Sequence, residues 1–345
     1  MRKDLVKVGI ARDLFDEEEN LIIPGDGLKL LDQIPNIRYE MFAEYGPEIT
    51  PAQVRDCDMV ISAAAPWTAN SLVQSERLIA VLYTGVGFDH IDVECLTAAD
   101  VMLCSAPDAV RRPMAVTILT HLLAVTSKLI NKDRLTREGR WEERTNYKGE
   151  GVTGKTLGCI GVGNIGHELL LLAQPFGMRL LACDPYVSPE SVADLDAQFV
   201  DMDTLLAESD FVSLSVPLND ETHQLIGADQ LKQMKPTGYL INTSRGGVVD
   251  EIALIEALKK GRIRGAGLDV FEQEPVDSNN PLLKMDNVVV TPHSLCHTDE
   301  YFMTAWTLKL NQAQEIMAGK IPAALVNKTV LEKESFKAKL RGFLS

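Results

Sequence analysis

Apolar and polar positions alternate in short blocks along the first hundred residues. Short, mainly apolar runs are separated by segments with the spacing of amphipathic helices, such as "GLKLLDQI" and "TPAQVRDC". Strands that alternate with helices predict a parallel sheet, because parallel neighbours are joined by long crossovers that usually contain a helix. The predicted strands are "VKVGIA", "IRYEMF", "DMVISA", "IAVLYT" and "VMLCSA".

The alternation is interrupted after residue 106 by a long apolar segment. Pro113 is followed by "MAVTILTHLLAVTSKLI", which is apolar on nearly every side and predicts a buried helix that begins at this proline. The strand pattern restarts at "TLGCIG" and continues through "RLLACD", "FVSLSV", "GYLINTS", "GAGLDVF" and "NVVVTP". A last long helix is predicted between Thr298, which precedes an acidic turn, and Gly319.

This restart predicts two doubly wound α/β domains. Residues 106–299 are expected to form one domain. Residues 1–105 and 300–345 are expected to form the other, because the last long helix returns the chain to the first body. A chain of 345 residues, 46% of them hydrophobic, is long enough to give each domain its own core.

The charge balance excludes some classes of partner. The chain has 34 basic and 49 acidic residues, a net charge of −15, which would repel nucleic acid and anionic membranes.

The six cysteines are scattered singly and several lie in apolar runs, a pattern typical of free thiols in a reducing compartment. The start of the chain, "MRKDLVKVGIARD", is interrupted by charges before a signal-peptide core could form, and no uninterrupted apolar run reaches the length of a membrane span. We therefore expect a cytoplasmic protein.

The segment "TLGCIGVGNIGHELLLLAQPFGMRLLACDPY" carries a dinucleotide-binding pattern. Gly161, Gly163 and Gly166 are spaced G-x-G-x-x-G between an apolar strand and an apolar helix. In this motif the first glycine permits a tight turn, the second lets the backbone approach a pyrophosphate, and the third lets helix and strand pack closely. Asp184 ends the next strand, about twenty residues downstream, where an acid accepts hydrogen bonds from the ribose hydroxyls.

The residues around the motif favour NAD over NADP. A carboxylate at Asp184 would repel a 2′-phosphate, and the following "PYVSPES" has no arginine or lysine to bind one. Asn164 and Ile165, at the start of the helix, are further candidates for cofactor contacts, as is Thr243 at the end of a later strand. Asp184 could alternatively be a solvated turn residue.

Three later strands end in polar residues. Arg245 follows "YLINTS", Asp269 ends "AGLD", and His293 follows "VVVTP". Because ligands of doubly wound sheets bind outside the carboxyl ends of the strands, these side chains are expected to surround the nicotinamide. A histidine near a carboxylate and an arginine, beside bound NAD, fits proton transfer coupled to hydride transfer.

The spacing of His293 and His297 leaves a second interpretation open. Two histidines with Asp299 or Glu300 as a third ligand could bind zinc. Such a site would leave Arg245 without a function, so we favour proton transfer and expect no metal. His297 is then interpreted as a residue at the start of the last long helix.

The motifs "GVGNIG", "INTSRGGVVDEIALIEALKKGRIRGAGLDVFEQEPV" and "NVVVTPH" together resemble the D-isomer-specific 2-hydroxyacid dehydrogenase family. That family includes phosphoglycerate, glyoxylate, hydroxypyruvate, D-lactate and formate dehydrogenases. The resemblance implies a flavodoxin-like substrate domain, a Rossmann-type NAD domain and an active site in the cleft between them. It also implies a homodimeric enzyme that transfers a hydride between NAD(H) and a small D-2-hydroxy or 2-keto acid such as glyoxylate or hydroxypyruvate.

The resemblance also implies roles for individual residues. Arg245 corresponds to the residue that anchors the carboxylate and carbonyl of the substrate, and His293 to the acid–base residue. Glu274, just before Pro275, corresponds to the partner of that histidine. Asp269 corresponds to the residue that holds the carboxamide of the nicotinamide.

Substrate binding is expected to involve further residues. By resemblance, the backbone of Val86 and Gly87 in "TGVGFD" contacts the substrate carboxylate. Residues 63–65 are alanines where phosphoglycerate dehydrogenases commonly place arginine, which argues against a phosphorylated substrate. Arg112 precedes a predicted helix start, where a positive charge is unfavourable. It could form a surface salt bridge or bind a second anionic group of the substrate.

Some positions depart from the family pattern. Val116 stands where relatives often have an acid, and Leu295 and Cys296 stand where relatives place small residues after the histidine. Two alternative functions therefore stay open. One is a phosphoglycerate dehydrogenase-like activity, and the other is a non-enzymatic regulator that senses NAD, as some relatives of this fold are.

Overall fold

The computed structural model describes residues 5–23, 27–44 and 46–345. The chain divides into two compact units. The first unit comprises Met1–Val110 and His297–Ser345, and the second comprises Arg111–Cys296. Each has its own parallel sheet, which confirms the predicted fold class of two α/β domains.

Twelve strands are found in the described residues, and all of them pair in parallel. They are β1 (Val6–Ile10), β2 (Ile37–Met41), β3 (Met59–Ser62), β4 (Ala80–Tyr83), β5 (Met102–Cys104), β6 (Thr156–Ile160), β7 (Arg179–Cys183), β8 (Ala197–Phe199), β9 (Phe211–Leu214), β10 (Tyr239–Asn242), β11 (Gly265–Leu268) and β12 (Val288–Val290).

The α-helices connect and flank these strands. They are α1 (Gly27–Asp32), α2 (Pro51–Val54), α3 (Val93–Ala98), α4 (Pro107–Ser127), α5 (Leu129–Arg137), α6 (Asn164–Ala173), α7 (Met202–Glu208), α8 (Ala228–Gln233), α9 (Glu251–Lys259), α10 (Asp299–Met317) and α11 (Glu334–Leu344). Short 3-10 turns join several of them, including Trp141–Tyr147 and Lys328–Glu332.

The sheet of the first unit has the strand order β2-β1-β3-β4-β5. This is the flavodoxin-like order, and all five strands predicted from the apolar runs are present. Apolar clusters cover both faces of the sheet, so β3, β4 and β5 are buried on both sides, whereas the edge strand β2 is largely exposed. The loops that follow β1, β3 and β4 consequently lie along one edge of this sheet.

The sheet of the second unit has the order β12-β11-β10-β9-β6-β7-β8. The chain leaves β6 in one direction to β7 and returns on the other side to β9, so the switch point that binds ligands in such sheets lies next to β6. Six of the seven strands were predicted. The seventh, β8, is a three-residue edge strand whose residues are partly exposed, and it therefore lacks an apolar run.

The long apolar helix begins earlier than predicted. Helix α4 starts at Pro107, so Pro113 lies inside it rather than at its start. The segment "SAPDAVRRPM" contains two prolines that could occupy the first helical position, and Pro107 is the one that does. The helix ends at Ser127, because Lys128 adopts a left-handed conformation with φ 58° before α5 begins.

The long helices bear on two predictions from the sequence, which concern a membrane span and the last long helix. Within the described ranges, no single helix is long and apolar enough to cross a membrane; only α4 and α5 taken together reach that composition, and they are bent by 61° at their break. The predicted last long helix is present as α10. Its N-cap is Thr298, whose hydroxyl accepts a hydrogen bond from the Tyr301 N–H at 3.2 Å.

The C-terminal segment packs on the first unit. Helix α11 buries Phe336 and Phe343 in the core that also contains β1 and α10. Lys333 donates hydrogen bonds to the carbonyl oxygens of Thr97 and Ala98, at 2.7 and 2.8 Å, and so binds the carbonyl end of α3. Helix α11 is therefore part of the first unit's core.

Candidate active site

The glycine loop after β6 has the geometry that a dinucleotide needs. Gly161 has φ +87°, and a Cβ there would lie 2.5 Å from the Ser215 carbonyl oxygen, so only glycine fits this turn. A Cβ on Gly166 would lie 2.1 Å from the Gly161 carbonyl oxygen, which shows how closely helix and loop pack. In contrast, nothing in the described structure lies within 4 Å of a Cβ built on Gly163. A pyrophosphate can therefore approach the backbone at this glycine, where α6 begins.

Asp184 is tied to this loop. It follows β7, which pairs with β6, and its carboxylate accepts the N–H of Val162 at 2.8 Å and the N–H of Tyr186 at 2.9 Å. The second of these bonds closes a local turn, while the first joins the acid to the residue between Gly161 and Gly163. The carboxylate is thus held beside the glycine loop, with its side chain only partly buried.

Three neighbouring strands of the second unit place polar residues at one edge of the sheet. In register, Asn242 pairs with Leu268 and Leu268 pairs with Val290, so the residues that follow them are neighbours. These are Thr243, Asp269 and Thr291. Thr243 and Asp269 are buried, and the Thr291 hydroxyl donates a short hydrogen bond to Asp269 Oδ1. Asp269 also accepts the N–H of Ser294 at 3.2 Å.

His293 and Glu274 form a pair at this edge. His293 Nδ1 lies 2.8 Å from Glu274 Oε2, and the His293 N–H donates to the Asp269 carbonyl oxygen at 2.7 Å. Because a carboxylate only accepts hydrogen bonds, Nδ1 carries the hydrogen, and Nε2 is the nitrogen that can exchange a proton. His293 has φ 52°, a left-handed conformation uncommon for a residue other than glycine.

The environment of Glu274 keeps it ionised. Burial alone would raise its pKa. The hydrogen bonds from His293 and from the Phe271 N–H, together with the positive charges of His293 and Arg245, outweigh burial and lower the pKa of Glu274 below its ordinary value. A carboxylate with a lowered pKa is suited to stabilise an imidazolium next to it.

Arg245 lies close to this pair because of its neighbours. Asn242, almost fully buried, donates to the Arg245 carbonyl oxygen at 2.9 Å and so fixes the loop after β10. A Cβ on Gly246 would lie 1.9 Å from the carbonyl of Phe271, so glycine is needed for this loop to approach the segment that carries Glu274. The structure therefore brings Arg245, Glu274 and His293 together within the second unit.

Some residues of the site carry weak sequence signals. Asn242 and Gly246 are ordinary strand-end and turn residues in the sequence, and only the close approach of two loops shows why they are needed. Thr291 belongs to the quoted "VVVTPH" motif but has no signal of its own. A histidine among apolar residues in α4, His121, is the one anomaly that sequence inspection could have noticed.

His297 lies in an aromatic environment. It is exposed, precedes the N-cap of α10, and stacks on the ring of Tyr301 with a centroid distance of 5.6 Å and an interplanar angle of 8°. His293 and His297 are not part of a helix, so their spacing does not place them on a shared helical face. Within the described residues, no group of three or more histidine, cysteine, aspartate or glutamate side chains is arranged to hold a metal ion.

The loop that contains Val86 and Gly87 belongs to the first unit. The Tyr83 hydroxyl donates to the Gly87 carbonyl oxygen at 2.8 Å, and the Tyr83 ring packs edge-on against His90 with centroids 5.3 Å apart. A Cβ on Gly85 would lie 2.4 Å from the Tyr83 hydroxyl oxygen, so this loop folds tightly over the end of β4.

Asp13 occupies the adjacent loop of the first unit. Its Oδ2 accepts the backbone N–H groups of three consecutive residues, Ala63, Ala64 and Ala65, at 3.2, 2.6 and 2.7 Å. Burial raises the pKa of Asp13, while these three hydrogen bonds and the charge of His90 lower it, and the net change is upward. The alanines thus present their N–H groups to a carboxylate of the chain itself.

The guanidinium of Arg112 binds a buried carboxylate. Its Nη1 lies 2.7 Å from Glu168 Oε1, and Arg111 Nε lies 3.5 Å from Glu168 Oε2. The side chain of Glu168, in α6, is only 7% exposed. The two arginines therefore compensate the negative charge of this buried carboxylate. The salt bridge, one of two interpretations that the sequence left open, is the contact that the structure shows for Arg112.

The chain is similar to several known proteins. Residues 119–294 match the NAD-binding domain of the D-isomer specific 2-hydroxyacid dehydrogenases. A glyoxylate reductase of Korarchaeum cryptofilum is 36% identical over 317 residues, which are 90% of this chain and 95% of that protein. A D-3-phosphoglycerate dehydrogenase of Methanocaldococcus jannaschii is 34% identical over 321 residues, but these are 92% of this chain and only 60% of that protein.

A solved structure agrees with these relatives. The glyoxylate reductase from Paecilomyes thermophila superimposes with a TM-score of 0.80 at 27% identity, covering 93% of this chain and 98% of that one. The fold, the glycine loop and the acid after β7 define an NAD-binding oxidoreductase with one flavodoxin-like unit and one Rossmann-type unit. The chain belongs to the D-isomer specific 2-hydroxyacid dehydrogenase family.

Proposed function

We propose that the protein reduces a small, unphosphorylated 2-keto acid, such as glyoxylate or hydroxypyruvate, to the D-2-hydroxy acid at the expense of NADH. The observation that carries this proposal is the His293–Glu274 pair at 2.8 Å beside Arg245, at the same sheet edge as Asp269. Bound NADH supplies the hydride to the keto carbon. The relatives named glyoxylate reductase support this substrate class.

Each side chain then has a defined task. His293 holds a proton at Nε2 and gives it to the substrate oxygen as that oxygen gains charge, while Glu274 stabilises the imidazolium. The planar guanidinium of Arg245 binds the carboxylate and carbonyl oxygens of the keto acid. The N–H groups of Val86 and Gly87 form the second contact with the carboxylate. We leave Arg112 out of this site because its guanidinium is bound to Glu168.

The cofactor contacts divide between the two ends of the dinucleotide. The residues that would hold the pyrophosphate are Gly163 and the first turn of α6, which contains Asn164 and Ile165. Asp184 would bind the adenosine ribose. Asp269 would bind the nicotinamide carboxamide, with Thr243 at the end of the neighbouring strand.

A panel of 2-keto acids tests the proposed activity. Consumption of NADH with glyoxylate or hydroxypyruvate, and formation of the D-enantiomer where the product is chiral, is the expected result. Tight NADH binding without turnover on any member of the panel would contradict the proposal and favour a regulator that senses NAD. Turnover confined to the phosphorylated keto acid would favour the phosphoglycerate dehydrogenase-like alternative.

Cofactor preference is the first prediction from individual residues. The wild type is expected to have a higher kcat/KM with NADH than with NADPH, because Asp184 repels a 2′-phosphate next to the glycine loop. Asp184→Ala is expected to narrow this ratio by about tenfold, the effect of removing one charge–charge interaction of about 1.4 kcal/mol. Equal use of both cofactors by the wild type would refute the assignment.

Asp13 supports the restriction to substrates with one anionic group. Its carboxylate accepts hydrogen bonds from the N–H groups of residues 63–65, in the loop next to Val86 and Gly87. The neighbouring Arg12 donates instead to the Asp16 carbonyl oxygen at 2.8 Å. A second carboxylate or a phosphate on the substrate would meet a negative charge here rather than free N–H groups.

Substrate selection is therefore the second prediction. Asp13→Asn is expected to raise kcat/KM for oxaloacetate relative to glyoxylate by about fivefold to thirtyfold, since repulsion between like charges near a protein surface costs about 1 to 2 kcal/mol. Asp16→Asn is the matched control. Asp16 lies in the same segment between β1 and β2, is exposed, and accepts the Asn20 N–H at 2.8 Å. Its replacement also removes one negative charge. A change of equal size in both variants would mean that only net charge matters.

The third prediction concerns assembly, for which we propose a homodimer. Around α5 the second unit exposes Leu129, Ile130 and Trp141, of which Trp141 is 62% exposed. Apolar side chains grouped in this way are typical of a surface that a second copy covers. Trp141→Glu is expected to convert a dimer to a monomer at micromolar concentration in analytical ultracentrifugation. A wild type that is already monomeric would contradict it.

The remaining proposals concern the surroundings of the protein. We place it in the reducing cytoplasm, because all six cysteines have free thiols and three of them are buried. The net charge of −15 supports a small-molecule substrate rather than nucleic acid or an anionic membrane as the partner.

A further inference from the structure

A fully buried histidine lies next to the cofactor-binding edge of the second unit. His121 is in α4, has no exposed surface, and its Nε2 lies 2.9 Å from the Thr291 hydroxyl oxygen. The helix approaches β11 closely at this point, because a Cβ on Gly267 would lie 2.8 Å from the His121 Cβ. Gly267, two residues before Asp269, therefore makes room for the imidazole of His121.

The hydrogen bonds around Thr291 have a defined direction. Asp269 Oδ1 can only accept, so the single hydroxyl hydrogen of Thr291 is donated to it. Thr291 must then accept from His121, which places the imidazole hydrogen on Nε2. The other nitrogen, Nδ1, is buried and has no hydrogen-bond partner in the described part of the chain. Burial lowers the pKa of His121 against the raising effect of Asp269, so the ring is neutral.

The chain of hydrogen bonds from His121 through Thr291 continues to Asp269 and to the residues that follow His293. Asp269 Oδ1 accepts from Thr291, from the Ser294 N–H at 3.2 Å and from the Leu295 N–H at 3.4 Å. These bonds all end on Oδ1, and Oδ2 has no hydrogen bond to any described residue. The orientation of the carboxylate is thus fixed through one oxygen, which leaves the other to accept a hydrogen bond from a ligand.

Stability does not explain a histidine at this position. Residues around it in α4, including Ile118, Leu122 and Val125, are buried apolar side chains, and a leucine would continue that pattern. The imidazole also keeps Nδ1 buried without a partner, which costs free energy. A buried polar group that is unfavourable for folding is commonly retained for a functional site that it supports.

We infer that His121 is a positioning residue for the nicotinamide. Through Thr291 it orients the Asp269 carboxylate so that Oδ2 accepts the carboxamide N–H of the cofactor. This inference rests on the proposed role of Asp269, and it concerns one end of the dinucleotide only. The pyrophosphate and adenosine contacts at the glycine loop and at Asp184 are independent of His121.

Ligand binding separates this role from a general effect on the fold. His121→Leu is expected to weaken NADH binding by about tenfold, the loss expected for a misplaced hydrogen bond to a charged group. The dissociation constant is measured by fluorescence titration in the absence of substrate. Binding of ADP-ribose, which lacks the nicotinamide, should stay within twofold. His121→Gln can still donate to Thr291 from its amide and is expected to recover most of the affinity for NADH.

A control and a double substitution complete the test. Thr126→Val removes another buried polar group of α4, one that bonds only to helix carbonyl oxygens, and should leave NADH binding unchanged. In a Thr291→Val background, His121→Leu should cause no further loss, because the connection is already broken.

Three results would overturn the inference. They are unchanged NADH binding in His121→Leu, equal losses for NADH and ADP-ribose, and a full additional loss in the Thr291→Val background. A wild type that binds NADH no more tightly than ADP-ribose would instead contradict the proposed role of Asp269. Unfolding temperatures measured alongside are expected to be no lower for His121→Leu than for the wild type.

Discussion

Replacement of His293 by asparagine is expected to lower kcat for glyoxylate reduction by about 10² to 10⁴, the usual contribution of a positioned general acid. Asparagine can still donate to Glu274 from its amide nitrogen but cannot deliver a proton to the substrate oxygen. The loss should therefore fall on kcat, measured at saturating NADH and keto acid. The dissociation constant for NADH should change by less than about twofold, because His293 acts on the keto acid.

His297 provides the control for this substitution. It is exposed and stacked on Tyr301, so His297→Ala should leave kcat within about twofold of the wild type. Treatment with a chelator should likewise have no effect. If His297→Ala or the chelator abolished turnover, the zinc interpretation of these two histidines would replace proton transfer.

The lowered pKa of Glu274 determines how this pair responds to acid. A carboxyl group whose folded pKa is depressed stabilises the fold above its ordinary pKa, and loses that contribution only as the pH falls through the lower folded value. The carboxylate next to His293 is therefore intact throughout the neutral range. Any change of activity between about pH 5 and 8 must then come from another group or from the substrate.

The parts of the site that could be predicted share a physical property. Gly161, Gly166 and Asp184 are recognisable because a tight turn and a close helix contact admit few residue types. Arg245 and His293 stand out because charged residues directly after buried strands are unusual. The strands could be predicted for a related reason: both sheets are covered on both faces, so most of their strands form continuous apolar runs.

Features that depend on distant contacts could not be predicted. Gly246 is required only because its loop approaches Phe271, which is 25 residues away in sequence. The edge strand β8 is held by one neighbour and has no apolar run. The partner of Arg112 is Glu168, which lies 56 residues away in sequence. In each case the deciding interaction is tertiary.

Arg245 and Arg112 illustrate how tertiary contacts separate two arginines that look equally suitable in the sequence. Arg112 binds a carboxylate that is 7% exposed, and moving it to a substrate would leave that charge buried without its closest partner. Arg245 lies where its charge lowers the pKa of Glu274, next to the His293 pair. The arginine near the reacting atoms is therefore Arg245.

Substitution of Arg245 is expected to have the second large effect. Arg245→Gln removes two charge-assisted hydrogen bonds to the substrate, worth about 3 to 4 kcal/mol together, so kcat/KM for glyoxylate should fall by about 10² to 10³. Arg245→Lys keeps the charge but loses the planar fork, and should recover only part of this loss. Steady-state kinetics at saturating NADH measure both variants.

Arg264 is the matched control, since it lies in the same unit and binds Glu150 at 2.7 Å on the surface. Arg264→Gln should leave kcat/KM within about twofold, because a surface ion pair contributes little. The affinity for NADH should be unchanged in the Arg245 variants, so that the whole effect lies in the handling of the keto acid. If Arg245→Gln weakened NADH and keto-acid binding equally, Arg245 would be organising the cofactor site as a whole, and its assignment to the substrate carboxylate would be wrong.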